Sequence, residues 1–321
     1  MCYTARMPAV VAVDFGGTST RAAYYPNAEP PATAQHKLPT PSERGPDAVL
    51  DRIVQAIEAV LPPGTRPERI GVGAPGPLNP YRGLVLDAPN LPGLVNMPLR
   101  DRLSERFGCP VVIGNDANLA ALGELRYGAG RGAKHLLYLT IGTGIGGGVI
   151  ADGRLLLGKF GLAAELGHMQ AHADGERCGC GQIGHLEAIA SGPSIARAAR
   201  KRLLTGEPST MSRLPGSPDS VTTNDIGLAA LQGDVLARSV LEDAGRAIGR
   251  HLASLVHAFD PEVIVLGGGV SLIGPLFFEP IERAMRVHIM HPAYLDGLRL
   301  VPAELGDEAG LIGSMILARE L

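Results

Sequence analysis

Two segments of this 321-residue chain share one design, in which an apolar strand leads through a glycine-rich turn into a second strand. The first segment covers residues 9–25 and turns at 16–18, and the second covers residues 136–150 and turns at 142–144. The dipeptide at 152–153 is Asp-Gly, which predicts a hairpin into a third strand. Because the design occurs once in each half, we expect two domains of similar architecture that face each other across a cleft.

The remaining segments alternate between helical and extended patterns. Helices are predicted at residues 46–61, 98–107, 117–126 and 234–259, and after Pro275; further strands are predicted at 111–114 and 262–268. This alternation predicts an α/β fold. Residues 205–222 are polar and rich in Pro and Ser, which favours a surface loop between helices over a domain linker.

Composition excludes several classes of protein. Hydrophobic residues make up 45% of the chain and charged residues 19%, with a net charge of -3 and no dense Lys/Arg run, so nucleic-acid binding is not expected. No apolar stretch approaches the roughly 20 residues of a membrane helix, and no signal peptide is recognisable. Four cysteines do not make a disulfide framework, which favours the reducing cytoplasm.

The first glycine turn has the chemistry of a phosphate-binding loop. Gly16 and Gly17 let the backbone bend and bring its N–H groups close to an anion, and Thr18 adds a hydroxyl donor. Asp14, at the end of the strand, is suitably placed to hold Mg²⁺ through water. A plain tight turn explains a single loop of this kind equally well.

Two further glycine clusters strengthen this interpretation. Gly142, Thr143 and Gly144 repeat the first turn, and Gly268 and Gly269 follow an apolar strand, where they would let a base or ribose approach the backbone. Neither a Walker A loop nor a Rossmann fingerprint fits, since no Gly-Lys-Ser/Thr ending is present and the loop at 142 leads into a strand.

A candidate general base follows the strand at 111–114. Asn115 and Asp116 open the predicted helix at 117–126, and taken alone the pair is explained more simply as a helix N-cap. A phosphoryl-transfer site, however, needs one carboxylate to accept the proton of the attacking hydroxyl. Asp116 is the candidate for that role.

Several side chains are candidates for binding the hydroxyl groups of a sugar. Carboxylates and amides accept and donate hydrogen bonds to neighbouring hydroxyls. The candidates are Asn90, Glu165, His168 and Glu187, together with the rigid Pro/Gly turn that contains Gly76. Each of them alone is explained by surface solvation, so the interpretation depends on the set.

A metal site is predicted where His168, Cys178, Cys180 and His185 lie within eighteen residues. Two thiolates and two imidazoles suit tetrahedral zinc. The alternative is two free thiols and two surface histidines, because Cys-x-Cys is not the common Cys-x₂-Cys knuckle. A site closed by four protein ligands would be structural, and it would hold in place the loop 168–187, which carries Glu187 and follows Glu165.

These motifs together resemble the ROK family of sugar kinases and repressors. The matching segments are DFGGT at 14–18, GAPGP at 73–77, PNLPG at 89–93, NDAN at 115–118, GTGIGGG at 142–148, AELGHM at 164–169, CGCGQIGHLEAIASG at 178–192 and IVLGGGV at 264–270. They extend over nearly the whole chain, and the cysteine-rich segment is the most specific of them.

The resemblance implies an actin-like, ribonuclease H-like fold of two α/β domains, with nucleotide and sugar in the cleft. It places the domains at residues 1–116 plus about 304–321 and at 117–303, in a homodimer or homotetramer. Asp116 resembles the family's catalytic base. The sugar contacts that the resemblance implies are Gly76, Asn90, Asn115, Asp116, Glu165, His168 and Glu187.

The implied reaction is ATP-dependent phosphorylation of a hexose, most simply glucose, at the 6-hydroxyl, with Mg²⁺ and a structural Zn²⁺. The alternatives are another sugar (fructose, mannose, allose or N-acetylmannosamine), another donor (polyphosphate or ADP), a non-enzymatic regulator, or an actin-like ATPase. Some positions depart from the family pattern. His185 stands where a third cysteine is usual, Ala164 replaces a frequent glycine, Ser19 replaces a frequent lysine, and Leu94 stands where many glucokinases have Trp.

Overall fold

The computed structural model describes residues 6–88 and 91–321, which form two five-stranded mixed sheets with helices between and outside them. The first sheet contains β1 (Val10–Phe15), β2 (Ser19–Tyr25), β3 (Ala34–Pro39), β4 (Arg69–Ala74) and β7 (Val111–Asn115). The second contains β8 (Leu136–Ile141), β9 (Ile145–Ala151), β10 (Arg154–Leu155), β11 (Val263–Gly267) and β12 (Arg299–Pro302). A short hairpin is formed by β5 (Leu78–Asn79) and β6 (Leu84–Val85).

Nine helices are present in the described part of the chain. They are α1 (Pro46–Val60), α2 (Leu99–Phe107), α3 (Asp116–Tyr127), α4 (Leu186–Ala190), α5 (Gly192–Leu204), α6 (Thr223–Leu231), α7 (Val235–Phe259), α8 (Pro275–His288) and α9 (Ala309–Arg319). The predicted helices agree closely with α1, α2, α3, α7 and α8. No helix among residues 6–88 and 91–321 combines the length and the apolar character that a membrane crossing requires.

The two sheets have the same topology. Their strand orders are β3-β2-β1-β4-β7 and β10-β9-β8-β11-β12, so each begins with antiparallel pairs around a glycine hairpin and continues with two parallel strands. The internal repeat expected from the sequence is therefore confirmed, and so is the α/β fold.

The sheets and helices form five layers. Helices α1 and α2 pack with the outer face of the first sheet in one apolar cluster, and α4 to α8 pack with the outer face of the second sheet in another. Between the sheets lie α3 and α9, whose apolar residues contact the inner faces of both. Strand β7 ends at Asn115, and the next residue, Asp116, begins α3. Residue 116 therefore lies at the end of the first sheet, in the space between the two sheets.

The two central helices cross at very short distance. A Cβ on Gly123 would lie 2.5 Å from the carbonyl oxygen of Ala309, so only glycine fits there. The buried carboxylate of Glu124 then accepts backbone N–H bonds from Ala129 at 2.8 Å, Glu304 at 3.1 Å and Leu305 at 2.8 Å. A single side chain thus holds both stretches of chain that connect the two sheets.

Three expectations about the elements need correction or addition. The third strand of the second hairpin is only two residues long. The N–H of Leu156 still donates to the carbonyl of Val149 in β9 at 2.8 Å, and the chain then turns at Gly158, which has φ of 71°. The segment 205–222 lies between α5 and α6 as expected, but it contains a 3-10 turn (Thr210–Arg213) that buries Met211. The elements that were not predicted are strands β3, β4, β5, β6 and β12 and helices α4, α5, α6 and α9.

Candidate active site

A cavity of about 1080 Å³ lies between the two sheets, at the carboxyl ends of β1, β4, β7 and β8. Both glycine hairpins contribute to its wall. The predicted residues that line it are Asp14, Gly16, Gly17, Thr18, Gly76, Asn115, Asp116, Gly142, Thr143, Gly144, Glu165, His168, Cys180 and Glu187. The structure therefore brings the predicted phosphate loops, general base and sugar contacts to one place.

Asp116 is the first residue of α3, and its carboxylate faces the cavity. Its Oδ1 accepts the N–H of Ala117 at 2.7 Å, while the N-cap role belongs to Asn115, whose Oδ1 accepts the N–H of Asn118 at 3.1 Å. The side chain is open to the cleft, yet the surrounding walls desolvate it. This desolvation, together with the negative charge of Asp14, raises the pKa of Asp116 to about 6. Such a carboxylate suits proton acceptance near neutral pH.

Three predicted sugar contacts meet beside Asp116. A Cβ on Gly76 would lie 3.0 Å from Asn115 Nδ2 and 3.5 Å from Glu165 Oε1, so the absence of a side chain at Gly76 opens the space between the two. Burial and the nearby Glu187 carboxylate raise the pKa of Glu165, although His168 opposes the shift. Amide donors and carboxylate acceptors therefore converge on one wall of the cleft.

Glu187 lies behind the second glycine hairpin. Its Oε2 accepts the N–H of Ile145 at 2.9 Å, and its Oε1 accepts from the thiol of Cys178 at 3.5 Å. A Cβ on Gly144 would lie 2.5 Å from the same Oε2. The side chain is thus fixed between the hairpin and the cysteine-rich segment, and glycine at 144 is required for its position.

A second cavity of about 760 Å³ adjoins the second hairpin. Gly142 and Thr143 line both cavities, and Gly269 lines this one. Its other walls come from α5, α6 and the residues after β11, and they are largely apolar: Gly192, Pro193, Ala196, Gly227, Leu228, Leu231, Val270, Leu272 and Ile273. Gly268 has a positive φ of 82° and packs against the backbone of Ile141, which explains glycine there by close approach.

The four predicted metal ligands form one cluster. One ligand atom from each of His168, Cys178, Cys180 and His185 lies within 4.8 Å of the others. Cys178 Sγ lies 3.6 Å from His168 Nδ1, and Cys180 Sγ lies 3.3 Å from His185 Nδ1. In a tetrahedral zinc site, bond lengths near 2.3 Å to sulfur and 2.0–2.1 Å to nitrogen place such atoms about 3.6 Å apart. The donor set and its spacing therefore fit a zinc ion.

His168 was predicted for both the metal and the sugar. It lines the cleft, and its Nδ1 is directed at Cys178, so its second ring nitrogen remains for another partner. The remaining sugar candidate, Asn90, lies outside the described residues, and its role stays a prediction.

Comparison with known proteins identifies the family. The profile of the ROK family matches residues 10–321. The glucokinase of Thermotoga maritima is 38% identical over 278 residues, which cover 87% of each chain. The chain belongs to the ROK family.

Solved structures of ROK proteins show the same fold. A ROK family glucokinase from Streptomyces griseus, in complex with glucose and AMPPNP, superimposes with a TM-score of 0.83 at 36% identity, over 98% of this chain and 100% of that one. A ROK hexokinase from Thermus thermophilus gives a TM-score of 0.80 at 40% identity, over 97% of each chain. The expected ROK architecture is confirmed.

Two of the departures from the ROK pattern have a structural explanation. Ala164 adopts φ of 69°, a left-handed conformation in which glycine is unstrained and alanine is not, and this explains the frequent glycine there. Leu94 is buried in the core of the first sheet, so an apolar side chain is what this position requires.

Some residues of the site were not predicted. Arg21, Lys37 and Asp307 also line the main cavity, and Arg200 and Asn224 line the second. Arg21 lies on β2, shortly after the first glycine turn. The alternation of side chains along β2 would have placed it on the same face of the sheet as Asp14. Lys37 lies on β3, which has no apolar alternation to reveal it as a strand.

Proposed function

We propose that this chain is an ATP:hexose 6-phosphotransferase with glucose as its preferred acceptor. The observation that carries the proposal is Asp116, a carboxylate with a raised pKa that opens α3 in the cavity lined by both glycine hairpins. The balanced reaction is ATP plus hexose giving ADP, hexose 6-phosphate and one proton. Asp116 accepts the proton of the 6-hydroxyl during the transfer.

The remaining groups orient the reactants. Asn115, Glu165 and Glu187 face the cleft as hydrogen-bonding partners for the other hydroxyls, with Gly76 leaving room between them. Backbone N–H groups of the two hairpins face the phosphate chain, and the apolar second cavity receives the adenosine. Mg²⁺ held near Asp14 would neutralise charge on the phosphates.

The proposal is tested by ADP release in a coupled assay with the purified chain. ATP is offered with glucose, fructose, mannose, allose and N-acetylmannosamine, and polyphosphate and ADP are then offered as donors to the best sugar. We expect the highest kcat/KM with ATP and glucose. A higher kcat/KM with another sugar would contradict glucose as the preferred acceptor and leave the kinase assignment in place. No transfer to any sugar would contradict the kinase proposal and would favour the regulator alternative.

We propose that His168, Cys178, Cys180 and His185 hold a structural zinc ion. When bound, the ion would cross-link the segment 168–185 next to Glu187, whose Oε1 lies 3.5 Å from Cys178 Sγ. Metal analysis should give one zinc per chain, and Cys180→Ser should lower both the zinc content and the melting temperature. His185→Cys keeps a ligand at this position and should retain the metal. Equal zinc content in wild type and Cys180→Ser would contradict the site.

We also propose the domain boundaries, the cellular compartment and the oligomeric state. Residues 1–116 with about 304–321 and residues 117–303 are proposed as the two domains, which agrees with α9 packing on the first sheet. We place the enzyme in the cytoplasm, where ATP is available and thiols stay reduced, and expect a homodimer or homotetramer by light scattering.

A further inference from the structure

The main cavity has an unbalanced set of charges for a site that receives a nucleotide triphosphate. Its described lining residues include five carboxylates, on Asp14, Asp116, Glu165, Glu187 and Asp307. Of the same described residues, only Arg21 and Lys37 carry a permanent positive charge. A polyanion that enters this cleft therefore has two side-chain cations to meet, in addition to any metal ion that it brings.

These two cations and Asp14 form one row across the first sheet. Asp14 on β1 is directly opposite Arg21 on β2, and Arg21 is directly opposite Lys37 on β3. Residues that are directly opposite in a sheet project from the same face. The row lies two residues before the first glycine turn on β1 and three after it on β2, so it borders the predicted phosphate loop.

Two hydrogen bonds fix the guanidinium of Arg21 and leave some of its N–H donors free of acceptors in the described chain. Its Nη2 donates to Asp14 Oδ2 at 2.5 Å and to the carbonyl oxygen of Asp307 at 2.6 Å. Its Nε and Nη1, which carry three of the five guanidinium N–H donors, bond no acceptor among the described residues. The side chain is 19% exposed, and it lines the main cavity. A fixed guanidinium with free donors matches the bidentate geometry of a phosphate group.

We propose that Arg21 binds the terminal phosphates of the nucleotide and stabilises the charge on the phosphoryl group during transfer. Asp14 would hold Mg²⁺ through its carboxylate while Arg21 keeps its Nη2 bonds, which leaves Nε and Nη1 free of other described residues. The donors of Arg21 then face the phosphates. Lys37, exposed and at the edge of the sheet, adds a weaker attraction. This inference rests on the proposed kinase function and names the residue that recognises the donor.

The experiment compares Arg21→Gln and Arg21→Lys with wild type. Arg21→Gln should lower kcat/KM for MgATP by about 10- to 100-fold, the usual range for a lost charged hydrogen bond. The KM for glucose should change less than twofold. Arg21→Lys keeps the charge but not the planar fork, so its loss should be intermediate. If Arg21→Gln fails to fold, Arg21→Lys carries the same test.

Binding without turnover separates a phosphate contact from a structural ion pair. By calorimetry, Arg21→Gln should weaken Mg·ADP and leave adenosine unchanged, since adenosine has no phosphate to lose. Arg106→Gln, which removes an exposed arginine that pairs with Glu58 at 2.6 Å far from the cleft, is the matched control and should change neither. Equal weakening of ADP and adenosine, or a normal kcat/KM for MgATP in Arg21→Gln, would overturn the proposal.

A compensating variant sharpens the test further. Ser19 lies on the same face of β2 as Arg21, two residues nearer the glycine turn. Adding Ser19→Lys to Arg21→Gln should recover part of the MgATP activity, whereas a purely structural role of Arg21 predicts no recovery. If wild type transfers phosphate to no sugar, the kinase proposal fails, and the Mg·ADP and adenosine measurements still decide the role of Arg21.

Discussion

The first glycine hairpin and the second occupy equivalent places in their sheets, so their strands can be compared position by position. In the first, Asp14 on β1 is opposite Arg21 on β2; in the second, Thr140 on β8 is opposite Gly146 on β9. The antiparallel pairing is shared, but an ion pair in one copy is replaced by an uncharged pair in the other.

Packing explains the uncharged copy. A Cβ on Gly146 would lie 2.9 Å from the Cβ of Ala117, and one on Gly148 would lie 2.5 Å from the Cβ of Ala121. Glycines in β9 therefore let α3 approach, and α3 carries Asp116. We infer that the first hairpin contributes charge to the site, while the second contributes backbone donors and positions the general base.

The largest effect should come from the carboxylate that lies between the hairpins. Asp116→Asn removes the proton acceptor and should lower kcat by about 10²–10⁴-fold, while the affinity for Mg·ADP stays within a few-fold of wild type. Steady-state kinetics and calorimetry measure the two. Asp152→Asn is the matched control, because Asp152 is in an exposed turn with φ of 51° that Asn tolerates. Full turnover in Asp116→Asn would remove this residue from the mechanism.

The next prediction tests directly whether only the first hairpin contributes charge to the site. Asp14→Asn should lower kcat by about tenfold or more, because the carboxylate that faces the metal is lost. High Mg²⁺ should restore part of the rate. Thr140→Val changes the equivalent position of the second hairpin and should cost less than threefold. Similar losses in both variants would show that the two hairpins do not differ as inferred.

The pH profile gives a smaller and more specific effect. Asp116 must be ionised to accept a proton, and its pKa is raised to about 6, so kcat/KM for glucose should fall below about pH 6. The fall should be about tenfold per pH unit. Because the charge of Asp14 contributes to the raised pKa, Asp14→Asn should move this acidic limb to lower pH. A profile that is flat from pH 5 to pH 7 in wild type would contradict the assignment.

The smallest effect concerns the glycines of the turns. Gly144→Ala puts a Cβ 2.5 Å from Glu187 Oε2 and should raise the KM for glucose several-fold by displacing that carboxylate. At Gly16 no heavy atom lies within 4 Å of an added Cβ in the described chain, so Gly16→Ala should leave the melting temperature and the KM for glucose unchanged. If Gly144→Ala and Gly16→Ala changed the KM for glucose equally, the two turns would not differ in how they position the sugar-binding residues.

The sequence predicted the hairpins well because glycine clusters between apolar strands are strong local signals. It predicted α7 within one residue, since Asp234 caps its start and Asp260 ends it in the left-handed conformation. Strand β3 was missed because its residues, AQHKLP, are mostly exposed and do not alternate. Lys37 was missed with it.

The site was less predictable than the fold. Motifs located Asp116, Glu165 and Glu187, but contacts between residues far apart in sequence left no local pattern. The carbonyl of Asp307 that Arg21 contacts is 286 residues away, and the walls of the second cavity come from α5 and α6, which the sequence did not reveal. The roles of the predicted site residues, Asn90 included, stay predictions.

The Glu124 carboxylate has a consequence for how the cleft can open. It holds the chain after α3, at Ala129, and again between β12 and α9, at Glu304 and Leu305. The two segments that connect the sheets are thereby hydrogen-bonded to one carboxylate, so we expect them to move together. We therefore expect the cleft to open by rotation about the Glu124 carboxylate, with the residues nearest to it moving least.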